Sequence, residues 1–411
     1  MKLMNRRIIY SILLLGMLAV AVISYQPIEE NPVQPEPPNY NVTLGYIAST
    51  EYSLPYESYM VSLAEADIND YCSENDIPWR FRFQIECAEG QAQYAFDHTQ
   101  EFADNDILLV GGYGWSSFLC SGARKIAAEN NMTLVSMGST SPLFAIQDNA
   151  FRLCVNDFRL AEPICVMLDD FGYSSVVVIQ RGDGWADGIV DAFREQYSGD
   201  VIEIVRYPPE TYEDFSLYLD AAESILEAYN GTDKPCVLLA SFNEAAQLLL
   251  QASDYPCLLN TTWFGTDGTV NSRQIEDDAG LQASAVKLFC PMQAPDPTNS
   301  WYQEINTEYK AKYNVDLPNR EAITYDCCWL MAHCVIDTNT TDACTILDSI
   351  IEVSRSHSGI TGDLSLDDNG DRAIYSYAIY KYIEDNGTYG SEICGFYQGE
   401  TGKIEWISDI T

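Results

Sequence analysis

The feature of this sequence that most constrains its fold is the regular alternation of apolar strands with amphipathic helices before residue 290. Residues 175–180 (SVVVIQ), for example, are apolar at successive positions, and a helical pattern follows over 186–196. Strands that are apolar on both faces are typical of parallel sheets covered by helices on both sides. The sequence therefore predicts an α/β fold built on parallel sheets.

The number of these units predicts two lobes rather than one, because about eight strands are too many for one compact sheet around an ordinary core. The predicted strands are 42–48, 81–85, 106–111, 133–137, 175–180, 201–205, 236–240 and 262–265. After residue 290 the rhythm changes to helices over 300–312, 320–336 and 342–354, and then to strands over 363–366, 373–383 and 395–398. This last third is expected to return to a lobe already begun.

The charge of the chain excludes whole classes of partner. Lys and Arg number 22 and Asp and Glu number 61, which gives a formal net charge of −39. A surface this acidic repels phosphate backbones, so nucleic-acid binding is excluded, and an anionic membrane surface is disfavoured. We expect a soluble monomer whose self-repulsion is relieved by salt.

The N-terminus has the pattern of an export signal. Lys2, Arg6 and Arg7 precede a 17-residue apolar run at 8–24, and a Pro- and Glu-rich linker follows over 26–41. The positive flank before the run places the rest of the chain outside the cell. The run is short for a membrane span and long for a signal core, so residues 1–25 remain either a cleaved signal peptide or a retained membrane anchor.

Two further features agree with export. Asn-x-Thr sequons, the acceptor pattern for N-glycosylation, occur at Asn41, Asn131, Asn230, Asn260, Asn339 and Asn386. The chain has 13 Cys with no Cys-x-x-Cys pair and no Cys/His spacing suited to zinc. We therefore expect a mixture of disulfides and buried small hydrophobic cysteines, and no metal site.

Eight short segments together resemble a known family. They are 64–69 (AEADIN), 112–117 (GYGWSS), 136–142 (SMGSTSP), 151–153 (FRL), 214–215 (DF), 265–268 (GTDG), 324–326 (TYD) and 359–371 (GITGDLSLDDNGD). In this order they are similar to motifs of the type I periplasmic binding proteins, in the branch that contains branched-chain amino-acid-binding proteins and receptor ligand-binding regions. The last segment is the most specific of them.

The resemblance implies two Rossmann-like doubly wound lobes joined by three crossovers, near 151–157, 285–291 and 358–363. Residues 42–154 plus 288–360 would form lobe 1, and residues 155–287 plus 361–411 would form lobe 2. Ligands of such folds bind at the carboxyl ends of the strands, and the lobes close on them by a hinge motion.

Polar residues follow two neighbouring strands of the predicted first lobe. Ser116 and Ser117 begin a predicted helix, and Gly138, Ser139 and Thr140 follow the next strand. Helix N-termini and hydroxyl groups bind anions, and the resemblance places an amino-acid carboxylate between these two turns. The alternative is simple N-capping by Ser and Thr, which needs no ligand.

The resemblance also supplies candidates in the second lobe. Asp267 would hold the ammonium group of the ligand, with an ordinary turn Asp as the alternative. Trp185 would cover the ligand, and Phe242 and Tyr325 would form pocket walls, with core packing as the alternative for all three. No Arg or Lys stands among the matched cleft positions, which favours a neutral amino acid over a ligand with a second carboxylate.

Together these observations predict an extracellular solute-binding protein for an ABC importer, with a membrane permease as partner. A sensory ectodomain for an amino acid, amide or similar small polar ligand, acting on a signalling partner, remains the alternative. No cofactor is implied. With three His and no nucleophile-elbow pattern, an enzyme is not favoured.

Overall fold

The computed structural model describes residues 40–407, apart from 210, 212, 271, 296 and 297. The expected signal or anchor segment and most of the linker lie outside these residues. Within the described part of the chain, no helix has both the length and the apolarity needed to cross a membrane.

Two main sheets and a short hairpin hold the strands of the described chain. The strands are β1 (Tyr40–Ala48), β2 (Trp79–Cys87), β3 (Leu109–Gly112), β4 (Thr133–Ser136), β5 (Ala150–Arg152), β6 (Ser175–Arg181), β7 (Asp200–Tyr207), β8 (Pro235–Ala240), β9 (Trp263–Gly265), β10 (Phe289–Gln293), β11 (Ser358–Gly359), β12 (Gly362–Asp363), β13 (Ser376–Asp385), β14 (Thr388–Gln398) and β15 (Lys403–Trp406). Five parallel strands form one sheet in the order β2-β1-β3-β4-β5.

The larger sheet has the order β15-β14-β13-β10-β9-β8-β6-β7. Its strands β6 to β10 are parallel, whereas β13 to β15 add an antiparallel edge made of the C-terminal tail. We call the part built on the five-stranded sheet the first lobe and the part built on the larger sheet the second lobe. The expected α/β fold with two doubly wound lobes is confirmed.

Helices cover both faces of each sheet. They are α1 (Leu54–Glu74), α2 (Ala92–Asp104), α3 (Ser116–Phe118), α4 (Arg124–Asn130), α5 (Asp157–Phe171), α6 (Gly184–Gln196), α7 (Ser216–Ala228), α8 (Ala245–Ala252), α9 (Pro256–Leu259), α10 (Arg273–Ala285), α11 (Ser300–Tyr313), α12 (Asn319–Thr338) and α13 (Ala343–Ser354). A π-helical turn at Leu119–Ala123 joins α3 to α4.

The alternation of side chains in a strand explains why the strands are apolar throughout. In β6, Val177 and Ile179 pack into the core on one face of the sheet, while Val176 and Val178 pack into the core on the other. Successive side chains of a strand point to opposite faces, so a strand covered on both sides must be apolar at every position.

The chain crosses between the lobes three times, but two of the expected boundaries are wrong. Phe289–Gln293 pairs with β13 in the larger sheet, so the second lobe extends beyond residue 288. Ile360, Leu364 and Leu366 pack in the core of the first lobe, which therefore extends past residue 360. In both places the buried apolar side chains decide to which lobe the segment belongs.

The expectation of disulfides is also wrong. All 13 cysteines lie in the described residues, and every one of them is free. Most are buried, and burial raises the pKa of thiols such as Cys154, Cys165 and Cys290 to about 12. The buried cysteines act as small hydrophobic side chains, which was the other part of the expected mixture.

Candidate functional site

A cleft with a volume of about 860 Å³ lies where the carboxyl ends of the two sheets face each other. The turns after β3 and β4 line it from the first lobe, and the turns after β6, β8 and β9 line it from the second. The carboxyl edge of a doubly wound sheet is where such folds bind ligands, because the connections diverge there and leave a crevice.

Most of the predicted ligand residues line this cleft. They are Ser116, Gly138, Thr140, Trp185, Phe242 and Asp267. The structure thus brings together residues that are separated by up to about 150 positions in the chain, at the edge where parallel strands end.

Three predicted residues do not line the cleft. Ser117 is exposed beside it, and Ser139 is fully buried, with its hydroxyl donating to the carbonyl oxygens of Tyr113 (2.8 Å) and Trp115 (3.0 Å). Tyr325 is buried in the first-lobe core and donates to Asp67 Oδ2 at 2.6 Å. Tyr325 was predicted as a pocket wall, with core packing as the alternative, and its position is that of a core residue.

Two glycines allow close backbone contacts at the cleft edge of the first lobe, Gly112 with β1 and Gly138 with the turn after β3. Gly112 ends β3 with φ of 105°, and a Cβ there would lie 2.2 Å from the Ile47 carbonyl oxygen. A Cβ on Gly138 would lie 2.6 Å from the carbonyl oxygen of Gly114. Only glycine fits both positions, since the backbones themselves are in contact.

The hydroxyl of Ser116 has a structural use. It accepts a hydrogen bond from the Ser141 amide at 3.1 Å, which joins the two first-lobe turns. Its helix, α3, has only three residues before the π-helical turn. The expected role of Ser116 as part of an anion-binding helix terminus therefore rests on the cleft position alone.

Two acidic side chains of the second lobe meet in the cleft. Asp157 begins α5 and is 5% exposed, and Asp267 follows β9. Burial raises the pKa of both carboxyls, and the negative charge of Asp267 raises the pKa of Asp157 further. Two carboxylates that share a dry site favour a cation or a shared proton beside them. We call Asp157 and Asp267 the carboxylate pair.

One oxygen of the carboxylate pair has no partner of its own. Asp267 Oδ1 is shielded from solvent and accepts no hydrogen bond from any described residue. A buried carboxylate oxygen without a donor is costly, by roughly 1–3 kcal/mol or more for a charged group. A ligand that brings N–H donors to this position would remove that cost. Asp157 was not among the predicted ligand residues, and its place at the end of the expected first crossover was the available signal.

An aromatic wall forms another side of the cleft. The rings of Trp185 and Phe242 stack with their centroids 4.1 Å apart and an interplanar angle of 25°. The guanidinium of Arg181 lies over the Phe242 ring, 4.6 Å from its centroid, and is paired with Asp183 and Glu244. Both predicted aromatic residues thus give the cleft an apolar surface.

A basic residue that the sequence analysis missed also lines the cleft. Arg320, in the first turn of α12, donates from Nη2 to Ser49 Oγ (2.6 Å) and to the Gly114 carbonyl oxygen (3.3 Å). Its Nε is buried and meets no acceptor in the described part of the chain. Arg320 lies outside the matched motifs, four residues before Thr324, so the absence of Arg and Lys from the matched cleft positions did not reveal it.

The crossovers behind the cleft are tied together by buried charges. Arg152 and Asp371 form a salt bridge of 2.5 Å, with their side chains 1% and 3% exposed. Asn156 donates to the other oxygen of Asp371 at 2.6 Å, and Gln293 accepts from the Val155 amide at 3.1 Å. These contacts link the first crossover to the second and third.

Residues 61–385 match the family model described as the receptor family ligand binding region. The chain belongs to this family. An uncharacterized protein of Methanocaldococcus jannaschii is 25% identical to it over 373 residues, which cover 85% of this chain and 87% of the relative.

Solved structures show the same fold at low sequence identity. LivJ of Streptococcus pneumoniae, a branched-chain amino acid transporter substrate binding protein in complex with isoleucine, is 18% identical with a TM-score of 0.64 and covers 86% of this chain and 99% of its own. The leucine binding protein LivK of Thermotoga maritima is 19% identical with a TM-score of 0.65, covering 85% and 97%. A solute binding protein of R. palustris in complex with benzoate is 11% identical with a TM-score of 0.63, covering 90% and 98%.

Proposed function

We propose that this protein is an extracellular solute-binding protein that captures a small amphoteric ligand, a neutral amino acid, and delivers it to the membrane permease of an ABC importer. The observation that carries the proposal is the charge arrangement of the cleft. The carboxylate pair offers an unsatisfied oxygen for an ammonium group, and Arg320 offers an unsatisfied Nε for a carboxylate. A zwitterion satisfies both groups at once.

The position of Arg320 favours one carboxylate in the ligand rather than two. Its guanidinium donates to Gly114, in the same turn where the ligand carboxylate was expected. A single ligand carboxylate beside this turn would therefore interact with both the turn and the Arg320 guanidinium. The aromatic wall of Trp185 and Phe242 supplies apolar surface for the rest of an amino acid.

Export and cell-surface placement belong to the same proposal. The basic and apolar pattern at the N-terminus supports it, and the side chains of all six sequon asparagines are exposed, as glycan attachment requires. The acidic surface fits a protein that works in a salty medium outside the cell as a monomer.

A sensory ectodomain is the second candidate, and the receptor family assignment supports it. Neighbouring genes separate the two candidates. A permease and an ATPase beside this gene would favour import, whereas a kinase or a chemotaxis receptor would favour sensing.

The proposed function is tested by a thermal-shift screen of amino acids, with benzoate and a sugar as ligands that have no ammonium group. A ligand at about 100 times its dissociation constant adds roughly 2.7 kcal/mol to the free energy of unfolding. Calorimetry of the best ligand then compares the parent with Asp267→Asn, which keeps the shape but removes the charge.

We expect Asp267→Asn to lose at least about 30-fold in affinity, since truncating one member of a buried charge pair costs roughly 2–5 kcal/mol. Thr140→Ala should lose less, about 1 kcal/mol, because one neutral hydroxyl is removed. Asp277→Asn, an exposed carboxylate, is the matched control and should bind as the parent does. Unchanged affinity in Asp267→Asn would refute the ammonium site and leave a neutral ligand.

A further inference from the structure

A second group of chemically active side chains lies in the first lobe, outside the cleft. His333 and Asp337 stand four positions apart on α12, and His357 immediately precedes β11. Each side chain offers one nitrogen or oxygen atom, and these three atoms lie within 4.8 Å of one another. We call His333, Asp337 and His357 the histidine cluster.

The three side chains of the histidine cluster are in close contact, and one of their nitrogen atoms has no partner. His357 Nε2 lies 2.6 Å from Asp337 Oδ2, and the rings of His357 and His333 lie face to face with centroids 3.5 Å apart and an angle of 14°. His333 is 8% exposed, and its Nδ1 is buried without a hydrogen-bond partner in the described chain. A buried imidazole nitrogen with no partner is costly unless something binds it.

From this arrangement we propose that the histidine cluster is a binding site for a divalent transition-metal ion of the zinc type. Two imidazoles and one carboxylate are ligands that such ions prefer, and water would complete the tetrahedron. Neighbouring ligand atoms around tetrahedral zinc stand about 3.3 Å apart, so shifts of about 1 Å bring the three atoms to that spacing.

The surroundings of the cluster also suit a cation. Asp337 lies in the last turn of α12, where the helix dipole favours positive charge. The side chains of His357 and Asp337 are 22% and 36% exposed, which gives an ion a path from solvent and lets the His357 ring turn.

A metal here would act on the fold rather than on the cleft. Arg320 of the cleft and His333 are 13 positions apart on α12, which is about 20 Å along the helix axis. The ion would join the end of α12 to the residue that precedes β11, where the third crossover was expected. The sequence predicts no metal site, because His333 and His357 are far apart in the chain. They come together only through the packing of α13, which lies between them in the sequence.

The experiment uses zinc titration of the full chain by calorimetry and thermal shift, at pH 7.5 in salt. The background variant carries Cys120→Ser and Cys344→Ser, which removes the two exposed thiols. We expect one zinc ion per chain and a rise in melting temperature. His357→Gln and Asp337→Asn should each weaken zinc binding by at least about 10-fold, the loss that even an outer-shell partner causes.

Matched controls separate this site from other zinc-binding groups. His98→Gln removes a histidine that also lies near two carboxylates, Glu86 and Glu101, and should leave zinc binding unchanged. Cys257→Ser tests a separate group in the second lobe, made of Glu223, Glu227 and Cys257, and should also leave zinc binding unchanged.

Three results would overturn the proposal: zinc binding that survives His357→Gln, zinc binding lost in Cys257→Ser, or an equal thermal shift with Ca²⁺, which would indicate only the acidic surface. His333→Gln would also test the site, but His333 is buried and this variant could fail to fold. His357→Gln and Asp337→Asn then still test the proposal, because both residues are partly exposed. None of these variants should change the affinity for the cleft ligand, so failure here is distinguishable from failure of the proposed function.

Discussion

The salt bridge between Arg152 and Asp371 gives a sharp prediction about stability. Asp371→Asn keeps the volume of the side chain but removes its charge, so the buried cation Arg152 loses its salt-bridge partner. The Asp371 carboxylate also accepts from Asn156, whereas the Asn amide group would turn a donor toward either Asn156 or Arg152. The substitution thus breaks a charge pair and creates a clash of donors.

The magnitude follows from the burial of the pair. The two side chains are 1% and 3% exposed, so solvent does not screen the loss. Removing one partner of a buried salt bridge typically costs about 3–5 kcal/mol. We expect the free energy of unfolding to fall by about 3 kcal/mol or more, measured by urea unfolding at pH 7 with circular dichroism.

The control for this prediction is Asp277→Asn, which breaks an exposed pair with Arg273. That pair is 3.5 Å apart with side chains 90% and 68% exposed, so its loss should be near zero. A loss below about 1 kcal/mol for Asp371→Asn would refute the reasoning, because it would mean that the buried pair contributes no more than a surface pair does.

Three further predictions concern the cleft and the charge of the chain. Arg320→Met should weaken binding of the best amino-acid ligand by at least roughly 10-fold in calorimetry, since a charge-assisted hydrogen bond contributes about 1.5–3 kcal/mol; an unchanged affinity would place the ligand carboxylate elsewhere. Gly138→Ala should abolish or strongly reduce ligand binding while the far-ultraviolet spectrum is kept, because its Cβ would meet the Gly114 carbonyl oxygen at 2.6 Å and separate the two turns. The melting temperature should rise between low and molar salt, because screening relieves the self-repulsion of a net charge of −39; a flat dependence would contradict this.

Much of the fold could be predicted from the sequence because the pattern is local. The apolar run 175–180 must be covered on both faces, and this holds whichever helices do the covering. The strand-end motifs 112–117 and 265–268 likewise indicate where the cleft lies, since parallel strands end at a common edge. Trp185, Phe242 and Asp267 line the cleft for this reason.

Other features depend on contacts between distant segments, and the tertiary structure alone decided them. Tyr325 follows the expected motif but turns toward Asp67, because a helix has several faces and packing selects the one that is buried. Arg320 is the converse case. It matches no motif, but it lines the cleft because the start of α12 lies at the cleft edge. Strand β10 joins the second lobe because β13, about 90 residues later in the chain, pairs with it.

The sequence by itself therefore determined the class of fold, the place of the cleft and the acidic surface, because these follow from local periodicity and summed charge. It did not determine which side chains share the cleft with Asp267, or that His357 meets His333 and Asp337. Those neighbours come from different segments of the chain. Burial and hydrogen bonding bring them together only when the whole lobe has packed, so no local sequence pattern predicts these contacts.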